Sequence, residues 1–534
     1  MATARYLTAQ VNSTKMPTGI PFIIGNEAAE RFSFYGMKTI LAVFMTQYLM
    51  SSSGTPAFLN ESDARENVAW FVASAYFFPI IGALIADALL GKYLTIILLS
   101  MVYCLGHAAL ACIDLPPAML QASFEPKTWL IAGLLLIAIG AGGIKPCVSA
   151  HVGDQFSQGN KHLLTRVFGW FYFSINFGSF FSTLLTPILL KHYGPGWAFG
   201  VPGVLMAIAT LVFWLGRHRY AHIPPKGFGF VKELVSKEGL STIGRLCVIY
   251  IFVAVFWSLY DQTGGAWVLQ AGQMDRQFLG FDWLESQIQA INPLLILIYI
   301  PLFSYLIYPF IGRVVTLTPL RKIGAGLFLT VLAFAVSATA QARIDAEQAR
   351  FQGQVAPMVA SASIDYPATI LALRNVERNA TAAMITTLLA EEKPQGDEWN
   401  TKVSTAIAKG GIAISADGTS HNAQWPSIGW QILAYVIITL AEVLVSVTCL
   451  EFSYTQAPPK LKSFVMSLYL LSVSAGNVLV ALVNRYTVDA AGNSTLEGEA
   501  YYWFFTYLGL GAAVVFLVVS KFYKGKEHIQ SAEG

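Results

Sequence analysis

The chain has 534 residues, of which 55% are hydrophobic and only 12% charged, and its net charge is +3. A soluble domain is about a quarter charged, so an ordinary water-soluble fold is excluded. The near-neutral balance, with no basic tract interleaved with aromatics outside the loops, excludes a nucleic-acid partner.

Repeated apolar stretches of about 20 residues predict a polytopic helical membrane protein. Twelve spans are expected at 21–50, 67–90, 93–113, 128–151, 166–190, 198–216, 243–268, 288–310, 321–342, 428–452, 463–486 and 500–523. Lys and Arg concentrate in alternate loops. Arg5, Lys15, Lys92, Lys161 and Arg166 fall on one side with the 217–242 segment and the C-terminal lysines, while the opposite short loops are poor in both types. That bias places both termini in the cytoplasm and requires an even number of spans. Residues 1–20 are polar and hold no signal-peptide core.

Span 1 contains Glu27-Ala-Ala-Glu30-Arg31-Phe-Ser-Phe34-Tyr35-Gly-Met-Lys38. On a helix Glu27, Glu30 and Arg31 share one face, which Tyr35 and Lys38 continue. Each charge at mid-span costs about 2.5–3.5 kcal/mol on insertion scales, so four on one stripe must face each other, other helices or water. A solvated amphipathic helix is the plainer reading, but the lipid-compatible surroundings argue against it.

Between spans 2 and 3, Gly82-Ala-Leu-Ile-Ala-Asp87-Ala-Leu-Leu-Gly91-Lys92 provides a tight glycine turn with an acid and a base. Span 4 carries Gly140-Ala-Gly142-Gly143-Ile-Lys145-Pro146; its small residues permit close helix approach. Lys145 lies well inside the span, which favours a functional lysine over one that reaches back to the interface. In span 5, Asn176 sits in apolar sequence and needs a partner, either another helix or a ligand. A basic stretch with Pro224-Pro225 separates two sets of six spans. This is the plan of a major-facilitator fold, two six-helix bundles with a central site and alternating access.

Span 7 holds Trp257 and Asp261, span 8 opens on Asn292-Pro293, span 10 holds Glu442 and Ser446, and span 11 holds Tyr469. The expected units are an N-terminal bundle (1–216), a cytoplasmic linker (217–242), a C-terminal bundle (243–342 and 428–534) and an outer insertion (343–427). Helix-like runs at 367–376 and 380–389 make that insertion a small helical cap. The cysteines at 104, 112, 147, 247 and 449 lack metal or disulfide spacing and read as core hydrophobes. No nucleophile, metal or phosphate-loop constellation is visible, so neither an enzyme nor a cofactor is expected.

The stretch Glu27-x-x-Glu30-Arg31-Phe32-x-Phe34-Tyr35 and the stretch Phe171-Tyr172-x-x-x-Asn176-x-Gly178, with Lys145 between them, resemble the signatures of the proton-coupled oligopeptide transporter family. The resemblance covers nearly the whole chain outside 343–427. Phe34 stands where the family usually has Tyr, Lys38 where Arg is frequent, Asp261 where Glu is common, and Tyr469 where many bacterial relatives carry Trp. The resemblance implies proton-driven symport of di- and tripeptides by a monomer in a plasma membrane, with a bacterial inner membrane preferred. It also implies an outer salt bridge Lys38–Asp261 and an inner one Lys145–Glu442.

Residue chemistry fills in the roles. A peptide zwitterion needs cations at one end, for which Arg31, Lys38 and Lys145 are available, and an acid at the other, Glu442 helped by Asn176 and Asn292. Tyr35, Tyr76, Trp257, Ser446 and Tyr469 would line the rest. The proton would sit on Glu27 or Glu30 beside Arg31, coupled to Lys145, Asp261 and Glu442. The alternatives are a carrier of another small anion such as nitrate, which lacks the amine that Glu442 would serve, or a non-transporting receptor, for which no loop module is visible.

Overall fold

The computed structural model describes residues 6–10, 12–116, 119, 125–225, 227, 235–390, 396–457, 461–489 and 494–523. Part of the basic linker therefore lies outside the described residues. Eleven helical stretches among them are long and apolar enough to cross a membrane. The first helix, α1 (Ile20–Val43), is too charged in its middle to count by that measure. It nevertheless packs inside the bundle, consistent with twelve crossings.

The N-terminal half comprises α1, α2 (Glu61–Ile85), α3 (Lys92–Ala111), α4 (Pro126–Gly153), α5 (Leu164–Tyr193) and α6 (Pro195–Leu215). Buried apolar side chains form one cluster drawn, Val268 apart, from residues 20–220, and further clusters drawn, Ala69 apart, from residue 246 onward. Each half thus has its own core, as a two-bundle major-facilitator architecture requires. Small residues set the tightest approach: a Cβ on Gly82 of α2 would lie 2.4 Å from the Gly143 Cα of α4. Larger side chains at either position would force the helices apart.

The C-terminal half begins with α7 (Lys237–Tyr260), which tightens into a 3₁₀ turn at Asp261–Gly264. A short hairpin of β1 (Gln277–Phe278) and β2 (Phe281–Asp282) precedes α8 (Ile291–Leu302). Next comes α9 (Pro319–Ala360), 42 residues long. At 1.5 Å per residue it spans about 63 Å, twice a bilayer core of about 30 Å. The predicted end at 342 is therefore corrected. The polar run after Ala342 is the outer face of the same helix, whose Ile344, Phe351, Val355 and Val359 are buried at helical spacing.

The insertion packs against that projecting end. It contains α10 (Tyr366–Asn375), α11 (Asn379–Leu389), α12 (Asp397–Gly410) and the hairpin β3 (Ile412–Ile414)/β4 (Ser420–Asn422). Leu373, Ile385, Val403, Ile407 and Ala413 join the α9 stripe in one small core. The sequence indicated α10 and α11 but not α12. Its signals were Asp397 and Glu398 in the first turn and a left-handed Gly411 at the end, φ +74°. The remaining spans are α13 (Gly429–Glu442), continued by a π-helical turn Val443–Val447 and by Thr448–Gln456, then α14 (Lys462–Tyr486) and α15 (Gly498–Phe522). The end carrying the insertion is called outer below, and the end carrying both termini inner, following the loop-charge bias.

Candidate functional site

The α1 stripe is turned inward. Glu27, Glu30 and Arg31 are 1%, 0% and 8% exposed, so none of them meets lipid. Arg31 Nε donates to Glu27 Oε1 at 2.7 Å, an i,i+4 pair. The same nitrogen lies 2.9 Å from Glu30 Oε2 but off the N–H direction, so both Glu30 oxygens are without a hydrogen bond among the described residues. A buried acid held by charge alone keeps its lone pairs free, which suits a group that must take up a proton.

Lys145 occupies an unusual setting. Its Nζ has no hydrogen-bond partner among the described residues. It lies 3.8 Å from the Tyr76 ring centroid and 4.3 Å from that of Phe34, a cation held between two π faces. Phe34 contributes its face where the family pattern would offer a hydroxyl. The expected Lys145–Glu442 bridge is absent from this conformation, because Glu442 is engaged elsewhere and the aromatic pair covers the lysine.

A cavity of about 270 Å³ lies between the bundles. That is close to the lower end of small-molecule sites, roughly 300–1,000 Å³. Of the residues singled out in the sequence, Tyr35, Lys38, Tyr76, Asn176, Trp257, Asp261, Asn292, Glu442, Ser446 and Tyr469 line it. Glu27, Glu30, Arg31 and Lys145 do not. The expectation that Arg31 and Lys145 face the ligand directly is corrected for this state: they sit behind the wall that Tyr76 helps to form, and Lys38 is the cation at the cavity surface.

The outer end of the cavity is closed by Lys38 Nζ, 3.2 Å from Asp261 Oδ1. Gln289 adds a hydrogen bond to the Thr39 carbonyl across the same interface, at 3.2 Å. On the C-terminal wall Glu442 Oε2 accepts from Tyr260 Oη and from Asn292 Nδ2, both at 2.7 Å. These two donors aim the carboxylate, and the π-helical turn that begins at Val443 follows it directly. Such turns often mark functional positions in helices. Tyr469 Oη donates to Ser446 Oγ at 3.1 Å. Asn176 donates to its own helix at Tyr172, 3.0 Å away, rather than to a neighbouring span.

Three lining tyrosines were not foreseen: Tyr172, Tyr260 and Tyr435. Helical spacing contained the signal for two of them. Tyr260 is three residues after Trp257, and Tyr435 is seven before Glu442, so each shares a face with a residue already singled out. Among the described residues no cluster of metal-ligating side chains occurs.

Two six-helix halves around one polar, charge-bearing chamber define a membrane transporter of the major-facilitator type, an integral membrane protein. The sequence profile of the POT family matches residues 93–236, 228–389 and 405–504. The chain is 31% identical to Peptide transporter family 1 of Drosophila melanogaster, over 97% of this chain and 89% of that one. It is 30% identical to solute carrier family 15 member 2 of Rattus norvegicus, over 96% and 91%. Among solved structures it resembles an auto-inhibited POT family peptide transporter (31% identity, TM-score 0.72, covering 97% of this chain and 99% of that one). The POT family transporter PepTSo is similar at 33% identity and TM-score 0.70, covering 95% and 99%. The chain belongs to the POT family, the proton-coupled oligopeptide transporters.

Proposed function

We propose that this chain imports di- and tripeptides together with protons by alternating access, and that the chamber between Lys38 and Glu442 is where the peptide binds. The observation that supports this most directly is the placing of opposite charges on opposite bundles around one cavity, Lys38 on α1 and Glu442 at the end of α13. A zwitterion laid between them touches both bundles at once, and such a ligand stabilises the state in which the bundles are closed around it. The ammonium end goes to Glu442, oriented by Tyr260 and Asn292. The carboxylate end goes to the cations of the N-terminal bundle, with Lys38 at the surface and Arg31 and Lys145 behind Tyr76. The tyrosines of the wall accept varied side chains while keeping polar tips available.

Coupling follows from the α1 stripe. Protonation of Glu30 or Glu27 removes one of the two negative charges beside Arg31 and so loosens the hold on that cation. It then seeks the next carboxylate, which is the peptide's. Lys145, with no fixed acidic partner, swings from its aromatic seat under the same demand. Return to the outward-open state requires the proton to leave. The membrane potential contributes about 2.3 kcal/mol per charge per 100 mV, enough to drive accumulation. The setting is a plasma membrane, a bacterial inner membrane in this reading, with the transporter acting as a monomer.

The test is uptake of labelled di-alanine by proteoliposomes under an imposed inward proton gradient. Accumulation above equilibrium, abolished by a protonophore and competed by tripeptides but not by nitrate, is the expected result. Glu30→Gln should remove gradient-driven accumulation while leaving counterflow exchange. Uptake of nitrate in place of the peptide, or no transport at all, would overturn the proposal.

A further inference from the structure

Asp261 is held from two sides. Its Oδ1 receives Lys38 from the N-terminal bundle, and its Oδ2 receives Asn477 Nδ2 from α14 at 2.7 Å. Asn477 is 2% exposed. Its amide also donates to the Val473 carbonyl of its own helix at 3.0 Å, so both amide hydrogens are engaged. The opposite flip would set its carbonyl against the carboxylate, so the network fixes the orientation. Asn477 does not line the peptide chamber. It lies behind Asp261 in a small separate cleft, with Arg65 and Tyr501.

Seven residues further along α14, two turns outward on the same face, Asn484 repeats the arrangement in a different form. Its Oδ1 accepts from Arg65 Nε of α2 at 3.0 Å. The Arg65 guanidinium also covers the Tyr501 ring at 4.2 Å. Ser62 donates to the Asn484 carbonyl at 3.2 Å. The two asparagines differ in what they join. Asn477 and Asp261 both belong to the C-terminal half, so their bond survives when the halves part. Asn484 and Arg65 belong to opposite halves, so theirs must break.

We infer that Asn477 is a positioning residue of the outer gate, holding the Asp261 carboxylate aimed at Lys38 through the whole cycle, and that Asn484 is a second, releasable bar acting on Arg65. This rests on the transport reading above, and adds to it a permanent support and an outer lock. A neutral amide fits the first role because it fixes the carboxylate without bringing a charge that would compete with Lys38. The second role suits an amide oxygen, which binds a guanidinium more weakly than a carboxylate does and so lets go during each cycle.

A double-mutant cycle on di-alanine uptake tests the first role. Asn477→Leu should lower the maximal gradient-driven rate about tenfold with KM within about twofold, since the side chain is outside the chamber. Asn477→Leu combined with Asp261→Asn should be no slower than Asp261→Asn alone, because both act through one carboxylate. Asn477→Ser, which keeps a donor, should recover part of the rate. Multiplying losses in the double variant, or a raised KM at unchanged rate, would overturn the assignment. Should Asn477→Leu not fold, the isosteric Asn477→Asp serves instead. Its loss should be relieved when Asp261 is also neutralised, and an unrelieved loss overturns the role.

Spin-label distances between the outer ends of α2 and α14 test the second role. Asn484→Ala should raise the outward-open fraction severalfold, and Arg65→Ala should raise it at least as far, because it also removes the contact with Tyr501. An unchanged distance distribution in Asn484→Ala would overturn it. Failure of the wild type to transport di-alanine would instead defeat the peptide reading, and the distance measurement distinguishes the two.

Discussion

Outward of the chamber, the two bundles are joined by Lys38–Asp261, Arg65–Asn484, Gln287 to the Leu184 carbonyl at 2.9 Å and Gln289 to the Thr39 carbonyl. The insertion, which is anchored on α9 of the C-terminal half, adds contacts to the N-terminal half. Tyr48 donates to Glu377 at 2.8 Å, Lys191 lies 3.5 Å from Glu377, and Lys409 lies 2.9 Å from Glu61. Inward of the chamber, the expected Lys145–Glu442 bridge is not formed: the Lys145 ammonium has no hydrogen-bond partner among the described residues, and Glu442 accepts from Tyr260 and Asn292. Of the two expected bridges, the outer one is therefore made and the inner one is open. Opening to the outside must break several of the outer bonds together. A proton and a peptide acting on α1 and on Glu442 are placed where they can shift that balance.

The largest way to break this asymmetry is Asp261→Ala. It leaves Lys38 largely buried and uncompensated in the outer-closed state. Removing one partner of a buried pair costs about 3–5 kcal/mol, which corresponds to roughly a hundredfold or more in population. The expected outcome is a shift towards outward-open and loss of uphill accumulation, seen in spin-label distances and in gradient-driven uptake. Glu442→Gln comes next and probes the side of the bridge that is not made. It should weaken free-amine dipeptides about tenfold to a hundredfold and leave N-acetylated ones nearly unchanged, because only the ammonium loses a charged acceptor. Equal losses for both would remove Glu442 from the ammonium role.

Much of this site was visible in the sequence because it stands out against lipid. Glu27, Glu30, Arg31, Lys38, Lys145, Asp261 and Glu442 are expensive in a membrane span, and that expense marks them. What was not visible depends on partners from other helices. Nothing local to Lys145 indicates that its ammonium rests between Phe34 and Tyr76, and nothing local to Asn477 indicates that it meets Asp261, 216 residues away in the chain. The length of α9 was missed for a different reason. Arg343, Asp345, Glu347 and Arg350 make residues 343–360 look like a loop, but the apolar stripe Ile344, Phe351, Val355 and Val359 shows a helix that has simply left the membrane.

The contribution of the insertion to the lock is smaller. Lys409–Glu61 is partly exposed, and such pairs are worth about 0–1 kcal/mol. The Lys409 ammonium is nonetheless held above its usual range by Glu61, so the pair stays charged at neutral pH and is lost only as pH rises past that range. Glu377→Gln combined with Lys409→Ala should raise the outward-open fraction about twofold to fivefold, as expected from one or two weak contacts. A change as large as that of Asp261→Ala would make the insertion the principal gate, and no change would make it a bystander.

The smallest effect lies within the insertion itself and separates its own stability from its docking. The Asp417 carboxylate accepts from the Ser415 hydroxyl at 2.5 Å and from the Thr419 amide at 2.9 Å, closing the β3–β4 hairpin. These bonds, the Ser415 hydroxyl first, pull Asp417 down to about 2 from its usual 3.8. A lowered value in the folded hairpin means that the stabilisation is complete above pH 3.8 and disappears as pH falls through 2. At neutral pH, Asp417→Ala should therefore speed hydrogen exchange at residues 412–422 slightly and leave transport unchanged. Because the hairpin packs on α10 and α12, away from the chamber, a transport defect in this variant would mean that the docked insertion responds to its own folding, and the outer lock would then reach further from the membrane than Glu377 and Lys409.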